Sequence, residues 1–398
     1  MMNEQFQQAL SIIETLKRHG HEAYFVGGAV RDYLLQRPLG DIDIATSAHP
    51  QEVMSIFPKT VPVGIAHGTV MVIERGVSYE VTTFRKEGRY EDYRRPKEVT
   101  FVSSLYEDLQ RRDFTMNAIA MNEHGDIIDP FGGTEALKQR MIETVGDAAE
   151  RFNEDALRMM RALRFVSQLG FSLSTKTKQA IIQYGHLLQH IAVERIAVEF
   201  EKLLLGPFMS KAIDLLIETN LFCYLPELAT KKRELAQLAT YSIVPTHRTE
   251  AWARFAFVVH FHQKELKKWK LPNHFIRDVL ICLKALEHIR SLSDWTVDTL
   301  YEYGPYIPHI ERIRAACKHD EPHVHLLLKR WEALPIRNRK ELAINGNDLL
   351  TLFERKAGPW LATMIENIER AVLHRKVENE KEKLKEWAVC NQRRENNC

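Results

Sequence analysis

The chain has 398 residues, too many for one compact unit, so two to four domains are expected. Its 45% hydrophobic and 27% charged residues are those of an ordinary soluble protein. A formal net charge of +2 excludes a chain-wide field for nucleic acid, although an acidic site beside a basic surface is compatible with that sum.

Phe6, Ala9, Leu10, Ile13 and Leu16 recur at helical spacing, with Gly20 as the stop. Ala23 to Val26 reads as a short buried strand, and Gly27-Gly28 turns the chain into a helix near 29–35 that ends before Pro38. "DIDIAT" reads as a second strand, with Asp41 and Asp43 on one face and Ile42 and Ile44 on the other. Pro50 opens a helix that runs through Phe57. "GTVMVIERGVSYEVTTFR" contains two β-rich runs around "RGVS", a hairpin signal. "RKEGRYEDYRRPKE", residues 85–98, is almost wholly polar and reads as a mobile loop. Another helix carries "EDLQRRDFTMNAIAM", and "DPFGG", residues 129–133, marks a turn.

Near residue 145 the texture changes. From "EDALRMMRALRFVSQLG" onward, apolar residues recur every three or four positions and β-rich alternation disappears. "VERIAVEFEKLLLG" is one such helix, stopped by Gly206-Pro207, and the charged helix "VENEKEKLKEWAV" trails into a polar tail expected to fray. The fold class is therefore α+β: a small mixed β-sheet with helices, then an all-α remainder. No internal repeat or low-complexity tract is found.

Five cysteines (Cys223, Cys282, Cys317, Cys390 and Cys398) are scattered without a CxxC pair, which argues against zinc and a disulfide framework and suits a reducing compartment. The N-terminal segment lacks the unbroken apolar run of a signal peptide, and no stretch approaches the roughly 20 apolar residues that span a bilayer. A cytoplasmic protein without membrane partners is expected.

Asp41 and Asp43 carry the first chemical signal. On a strand, side chains at i and i+2 lie on one face roughly 6.5–7 Å apart, and two such carboxylates repel unless cations sit between them. An oxygen-lined Mg²⁺ site relieves that repulsion, and two metals about 4 Å apart can activate a hydroxyl and stabilise a leaving pyrophosphate. A solvated pair at a strand end is the alternative, and it is the better account of a bare DxD. Context shifts the balance. Gly27-Gly28 lies between strand and helix, where backbone N–H groups and the helix dipole favour a phosphate, and Arg31 stands in the first turn of that helix.

Along "EDALRMMRALRF", Asp155, Arg158, Arg161 and Arg164 are spaced by three and wind around one side of a helix, while Ala156, Met159, Met160 and Leu163 face a core. A surface ladder of ion pairs is the plain alternative. Arg161 and Arg164 have no acid at matching spacing within the segment, however, and an unpaired arginine row suits an anionic ligand.

"GGAVRD…GDIDIAT", "RRDFTMNAIA" and "EDALRMMRALRF" resemble the signature segments of class II nucleotidyltransferases of the DNA polymerase β superfamily. The resemblance is closest to bacterial CCA-adding tRNA nucleotidyltransferases, and its sharp motifs cover about the first half of the chain. It implies a catalytic head (1–145), a helical neck that recognises the base (146–206), a helical body (207–295) and a helical tail on tRNA (296–398). It also implies Asp41 and Asp43 as catalytic Mg²⁺ ligands. Gly28 and Arg31 are then placed on the nucleotide phosphates, Arg112 on sugar and phosphates, and Asp113 in support. Glu80 could be a third acid near the metals or a structural residue. Residues 85–98 correspond to a flexible element linked to the switch from C to A addition, and 193–204 to a segment that braces the neck.

Within this resemblance, Asp155 and Arg158 form the base reader. A carboxylate accepts and a guanidinium donates. Cytosine and adenine offer an amino donor beside a ring-nitrogen acceptor, whereas uracil and guanine present the reverse order. One Asp–Arg pair can therefore accept C and A and reject U and G. Arg161 and Arg164 complete the base and phosphate contacts. The implied reaction is template-independent addition of C, C and A to the 3′ end of tRNA from CTP and ATP, with a homodimer compatible with it. A poly(A) polymerase and a CC-only or A-only enzyme are the near alternatives, and a non-catalytic RNA-binding protein the distant one. "KHDEPHVH" (318–325) hints at an HD-type phosphohydrolase but reads better as a surface turn. "KKR" (231–233) and "KELKKWK" (264–270) are candidate tRNA phosphate contacts or ordinary solvated faces.

Overall fold

The computed structural model describes residues 3–87, 90–91, 95–96, 99–292 and 294–395. It divides into two compact units, Met1–Thr240 with Lys264–Leu271, and Tyr241–Gln263 with Pro272–Cys398.

The first unit begins with helix Glu4–Arg18, whose Phe6, Ala9, Ile13 and Leu16 are buried as expected, together with Ile12. Phe6 packs edge-on against Phe25, with ring centroids 4.8 Å apart, and so fixes the helix to one face of a seven-stranded mixed sheet. The strand order is Ile127–Ile128, Ala120–Met121, Ala23–Val26, Asp43–Thr46, Val77–Thr83, Thr69–Glu74, Thr60–Gly64. Ala23–Val26 matches its expected bounds, and the expected hairpin closes through Arg75 and Gly76, both at positive φ. Asp43–Thr46 pairs antiparallel to Ala23–Val26 and parallel to Val77–Thr83. The pleat puts Val26, Asp43 and Ala45 on the face opposite Phe25. There a core of Val26, Ala45, Phe84, Leu105 and Leu109 fills the space beyond the acids.

Three expectations are corrected. The helix in "EDLQRRDFTMNAIAM" covers only Leu105–Gln110. Beyond it the backbone bonds elsewhere: Thr115 N–H donates to Glu143 O, Val145 N–H donates to Asp113 O, and Phe114 bridges Thr144. These bonds leave a single turn at Thr115–Asn117 and the strand Ala120–Met121. Second, "EDALRMMRALRF" is not one helix. Helix Ala148–Glu154 ends at Asp155, whose backbone is extended, and helix Leu157–Leu169 starts afresh. Third, the edge strand Thr60–Gly64 was not expected, because Pro62 and an exposed apolar row disguise it.

Residues 85–98 fall partly outside the described residues (88, 89, 92–94, 97 and 98), and so does the expected switch element. The described parts are strand pairs, Arg85–Glu87 with Val99–Phe101 and Tyr90–Glu91 with Arg95–Pro96. "DPFGG" is the expected turn. Asp129 accepts from Gly133 N, Thr134 N and the Thr134 hydroxyl at 2.6–2.8 Å. A Cβ on Gly133 would lie 2.2 Å from the Thr115 carbonyl, so only glycine lets these two segments meet.

After residue 145 the first unit is helical apart from the short strand Ser172–Leu173, and Ala156, Met159, Met160 and Leu163 are fully buried. Helix Val193–Leu204 packs along Leu157–Leu169. The second unit is helical among its described residues. Trp252, Phe255, Phe261 and Tyr303 are buried there, with the Phe255 ring edge-on to those of Trp252 and Phe261, and a further cluster joins Ile344, Leu349, Ile368 and Leu384. His319 ends helix Ile307–Lys318 with a left-handed backbone, and both it and Asp320 are exposed, so "KHDEPHVH" begins as the surface turn expected of it. The exposed side chains of Lys264, Lys267, Lys268 and Lys270 surround buried Leu266 and Trp269. Cys223, Cys282, Cys317 and Cys390 carry free thiols, and Cys398 lies outside the described residues. Among the described residues no helix is long and apolar enough to cross a membrane.

Candidate active site

A cleft of about 1040 Å³ opens in the first unit, over the acidic end of the sheet. Gly28, Arg31, Asp43, Arg112, Asp155, Arg158, Arg161 and Arg164 line it, so eight of the nine expected site residues meet in one place. The ninth, Asp41, is exposed just before the strand that Asp43 begins.

Glu80 faces Asp43 in parallel register on the neighbouring strand and also lines the cleft. Burial, with the charges of Glu80 and Asp41, pushes the Asp43 carboxyl up to about 6, against the pull of Arg112. The three acids thus form a strained negative corner that a cation would relieve. Among the described residues no group of three or more side chains is gathered closely enough to hold a metal alone. The corner therefore suits a divalent cation held by one or two carboxylates, with the rest of its shell left to substrate and water.

Beside the acids lies the glycine turn. Gly27, the first glycine of the expected phosphate turn, has φ +71°, and a Cβ there would sit 3.2 Å from Arg112 Nη1 and 3.5 Å from Asp43 Oδ2. The missing side chain keeps open a cradle between a guanidinium and a carboxylate. Helix Gly28–Leu34 follows directly. Its Arg31 donates from Nε and Nη2 to Asp32 at 3.0 and 2.9 Å and from Nη1 to Asn117 Oδ1 at 2.8 Å. Arg112 is held by Asp108 at 3.0 Å, and its Nε is buried with no hydrogen-bond partner. Arg111 shares the same carboxylate at 2.7 Å. "RR" therefore braces the helix end through Asp108, as its plain reading supposed, while Arg112 also faces the cleft.

The arginine row is not unpaired, which corrects that expectation: its acids come from distant segments. Arg161 Nε lies 2.8 Å from Asp113 Oδ2, and Arg164 Nε lies 2.9 Å from Glu199 Oε2. The Arg164–Glu199 contact is an ion pair by distance but misses hydrogen-bonding direction, so both atoms keep that capacity. Burial acts to raise the Asp113 carboxyl, but Arg161 and the hydrogen bond from Asn117 outweigh it and hold it at about 2. Burial also pushes Arg164 down to about 10, and the like charges of Arg161 and Arg31 act in the same direction, partly opposed by Glu199 and Asp113. The guanidinium carbons of Arg164, Arg31 and Arg161 lie 4.1, 5.2 and 5.8 Å from the centre of the Phe165 ring. Three cations around one aromatic ring make a positive wall.

Asp155, at the break between helices, accepts from Leu157 N at 3.0 Å and takes Arg195 Nη2 on Oδ2 at 2.8 Å. Arg158 donates to Glu154 at 2.6 Å and to the Arg111 carbonyl at 3.0 Å. Sequence reasoning missed Arg195, Glu199 and Asn117. Glu199 had a signal: it is a charge on the apolar face set by Ile196, Phe200 and Leu203. Arg195, four residues earlier, had none.

A family model for the poly A polymerase head domain matches residues 23–143. Models for the "Probable RNA and SrmB- binding site of polymerase A" and for tRNA nucleotidyltransferase domain 2 match 170–232 and 244–388. The chain is 86% identical over 397 residues to a CCA-adding enzyme of Anoxybacillus flavithermus, covering 100% of both chains. It is 55% identical to a CCA-adding enzyme of a Geobacillus species, covering 98% of each. Its fold superposes on the crystal structure of the Bacillus stearothermophilus CCA-adding enzyme in complex with CTP with a TM-score of 0.93 at 49% identity, again covering 100% of both chains.

Proposed function

The chain belongs to the CCA-adding enzyme family, and on that premise we propose that this cleft builds the 3′ end of tRNA. The enzyme adds C, C and A to the tRNA 3′ end from CTP and ATP without a nucleic-acid template and releases pyrophosphate. The observation that carries this reading is one cleft lined by Asp43 and Glu80, by Gly27 and Gly28, and by Asp155 with Arg31, Arg112 and Arg158.

Asp41 and Asp43 are the residues we assign to Mg²⁺. When bound, the metal lowers the pKa of the attacking hydroxyl and neutralises charge on the phosphates. Gly27 and Gly28 admit the triphosphate against the backbone and the N-terminus of helix Gly28–Leu34. Arg31 grips its oxygens, and Arg112 reaches the sugar and phosphates. Asp155 retains acceptor capacity beside Arg195, because a carboxylate has about four lone-pair sites, and it takes the base amino hydrogen. Arg158 donates to the ring nitrogen, while Arg161 and Arg164 supply the positive wall. Glu80, aimed at the same corner, joins the acids. The exposed lysines of 264–270 and the basic cluster at 231–233 meet the tRNA phosphates, and the work takes place in a reducing, cytoplasmic setting. The head, neck, body and tail divisions at 145, 206 and 295 are part of the same proposal.

Purified protein with Mg²⁺ and a tRNA ending at the discriminator base is expected to add CC from CTP alone and to add CCA and stop when ATP is also present. Long A tails, arrest at CC with both nucleotides, or no incorporation would each replace this reading with one of its rivals.

A further inference from the structure

We propose that Asn117 is a positioning residue that fixes the phosphate-gripping face of Arg31 and ties it to the neck helix Leu157–Leu169. The inference rests on the assignment of Arg31 to the triphosphate. Asn117 ends the turn Thr115–Asn117 and is buried, 7% exposed. Its Oδ1 accepts from Arg31 Nη1 at 2.8 Å, and its Nδ2 donates to Asp113 Oδ1 at 3.0 Å. Its main-chain carbonyl accepts from Arg112 Nη1 at 3.4 Å. One buried residue thus touches three charged groups of the cleft.

The chemistry of the partners dictates the side chain. A guanidinium can only donate and a carboxylate can only accept, so the group between them must accept on one side and donate on the other. A primary amide does both within one planar unit. An ionised carboxylate would repel Asp113, an aliphatic isostere would take one bond from each partner, and glutamine would overfill the site by a methylene.

The consequence falls on Arg31. Asp32 takes two of its N–H groups and Asn117 a third, and five minus three leaves two for an anion. The guanidinium is therefore oriented before any phosphate arrives, which removes an ordering cost from binding. From Asn117 the chain of contacts continues through Asp113 to Arg161, 2.8 Å beyond, on the helix that also carries Arg158. The same few bonds hold the phosphate grip and the base reader in register.

The test uses the near-isosteric change Asn117→Asp in the full chain, with parent and variant assayed side by side on tRNA. The introduced carboxylate cannot donate to Asp113 and faces its charge. The variant-to-parent KM ratio for CTP and ATP is expected to be about 10-fold, with kcat changed much less. Asn117→Leu is expected to raise KM as well. In an Arg31→Ala background, Asn117→Ala should add less than about twofold, because the effect passes through Arg31. An unchanged KM, a loss confined to kcat, or full additivity with Arg31→Ala would each overturn the proposal. A parent without CCA addition would instead sink the functional reading itself.

Discussion

Replacing Asp43 by Asn is expected to cut nucleotide incorporation by about 1,000-fold, the rate equivalent of about 4 kcal/mol, while making the metal-free protein more stable. The two effects share one cause. Burial and the charges of Glu80 and Asp41 push the Asp43 carboxyl up to about 6. Between the ordinary carboxylate range and about pH 6, the folded chain therefore holds a proton that the unfolded chain has released. The stability this gives is fully present below the unfolded pKa and is lost as pH rises through the folded one. At neutral pH the ionised group costs on the order of 2 kcal/mol in the absence of metal. An amide carries no such charge. Thermal melts in chelator should place Asp43→Asn above the parent at neutral pH, with the gap closing toward about pH 4. Incorporation within about tenfold of the parent, or a lower melting temperature at neutral pH, would remove Asp43 from the metal site.

Asp155→Asn is expected to lower the preference for CTP over UTP by about 100-fold or more, with a smaller change in triphosphate affinity. The amide can keep its oxygen on Arg195, where the carboxylate now sits at 2.8 Å, and turn an N–H toward the base. Uracil offers a carbonyl at the position where cytosine offers an amino group, so the exclusion of U loses its physical basis. Arg158 is a less clean target, because it also holds Glu154 and the Arg111 carbonyl and is only 6% exposed. Misincorporation of UTP on tRNA, measured against CTP, reads the effect. An Asp155→Asn enzyme that rejects UTP as firmly as the parent would refute base reading by this pair.

Local pattern made much of this legible. Strand Ala23–Val26, the glycine turn and the hairpin after Gly68 follow from burial, backbone freedom and alternation, which lie within a few residues of one another. GG, Arg and DxD stand close together and so marked Gly28, Arg31, Asp41 and Asp43, whereas Arg112 and the base-reading role of Asp155 and Arg158 came with the family resemblance. Contacts between distant segments were not legible. Arg161 and Arg164 looked unpaired because their acids, Asp113 and Glu199, lie far from them in sequence. "RRDFTMNA" has helical composition, but pairing with residues 143–145 takes its backbone away from a helix. Asp155 sits at a helix break because its carboxylate caps Leu157 and is held by Arg195, neither of which periodicity reveals.

If protein side chains rather than a nucleic-acid template choose the base, the choice is present before tRNA binds. Equilibrium binding of the four ribonucleoside triphosphates to the protein with Mg²⁺ and no tRNA measures it. CTP and ATP are expected to bind at least about tenfold more tightly than UTP and GTP. Equal binding of all four, with selection appearing only when tRNA is added, would contradict it.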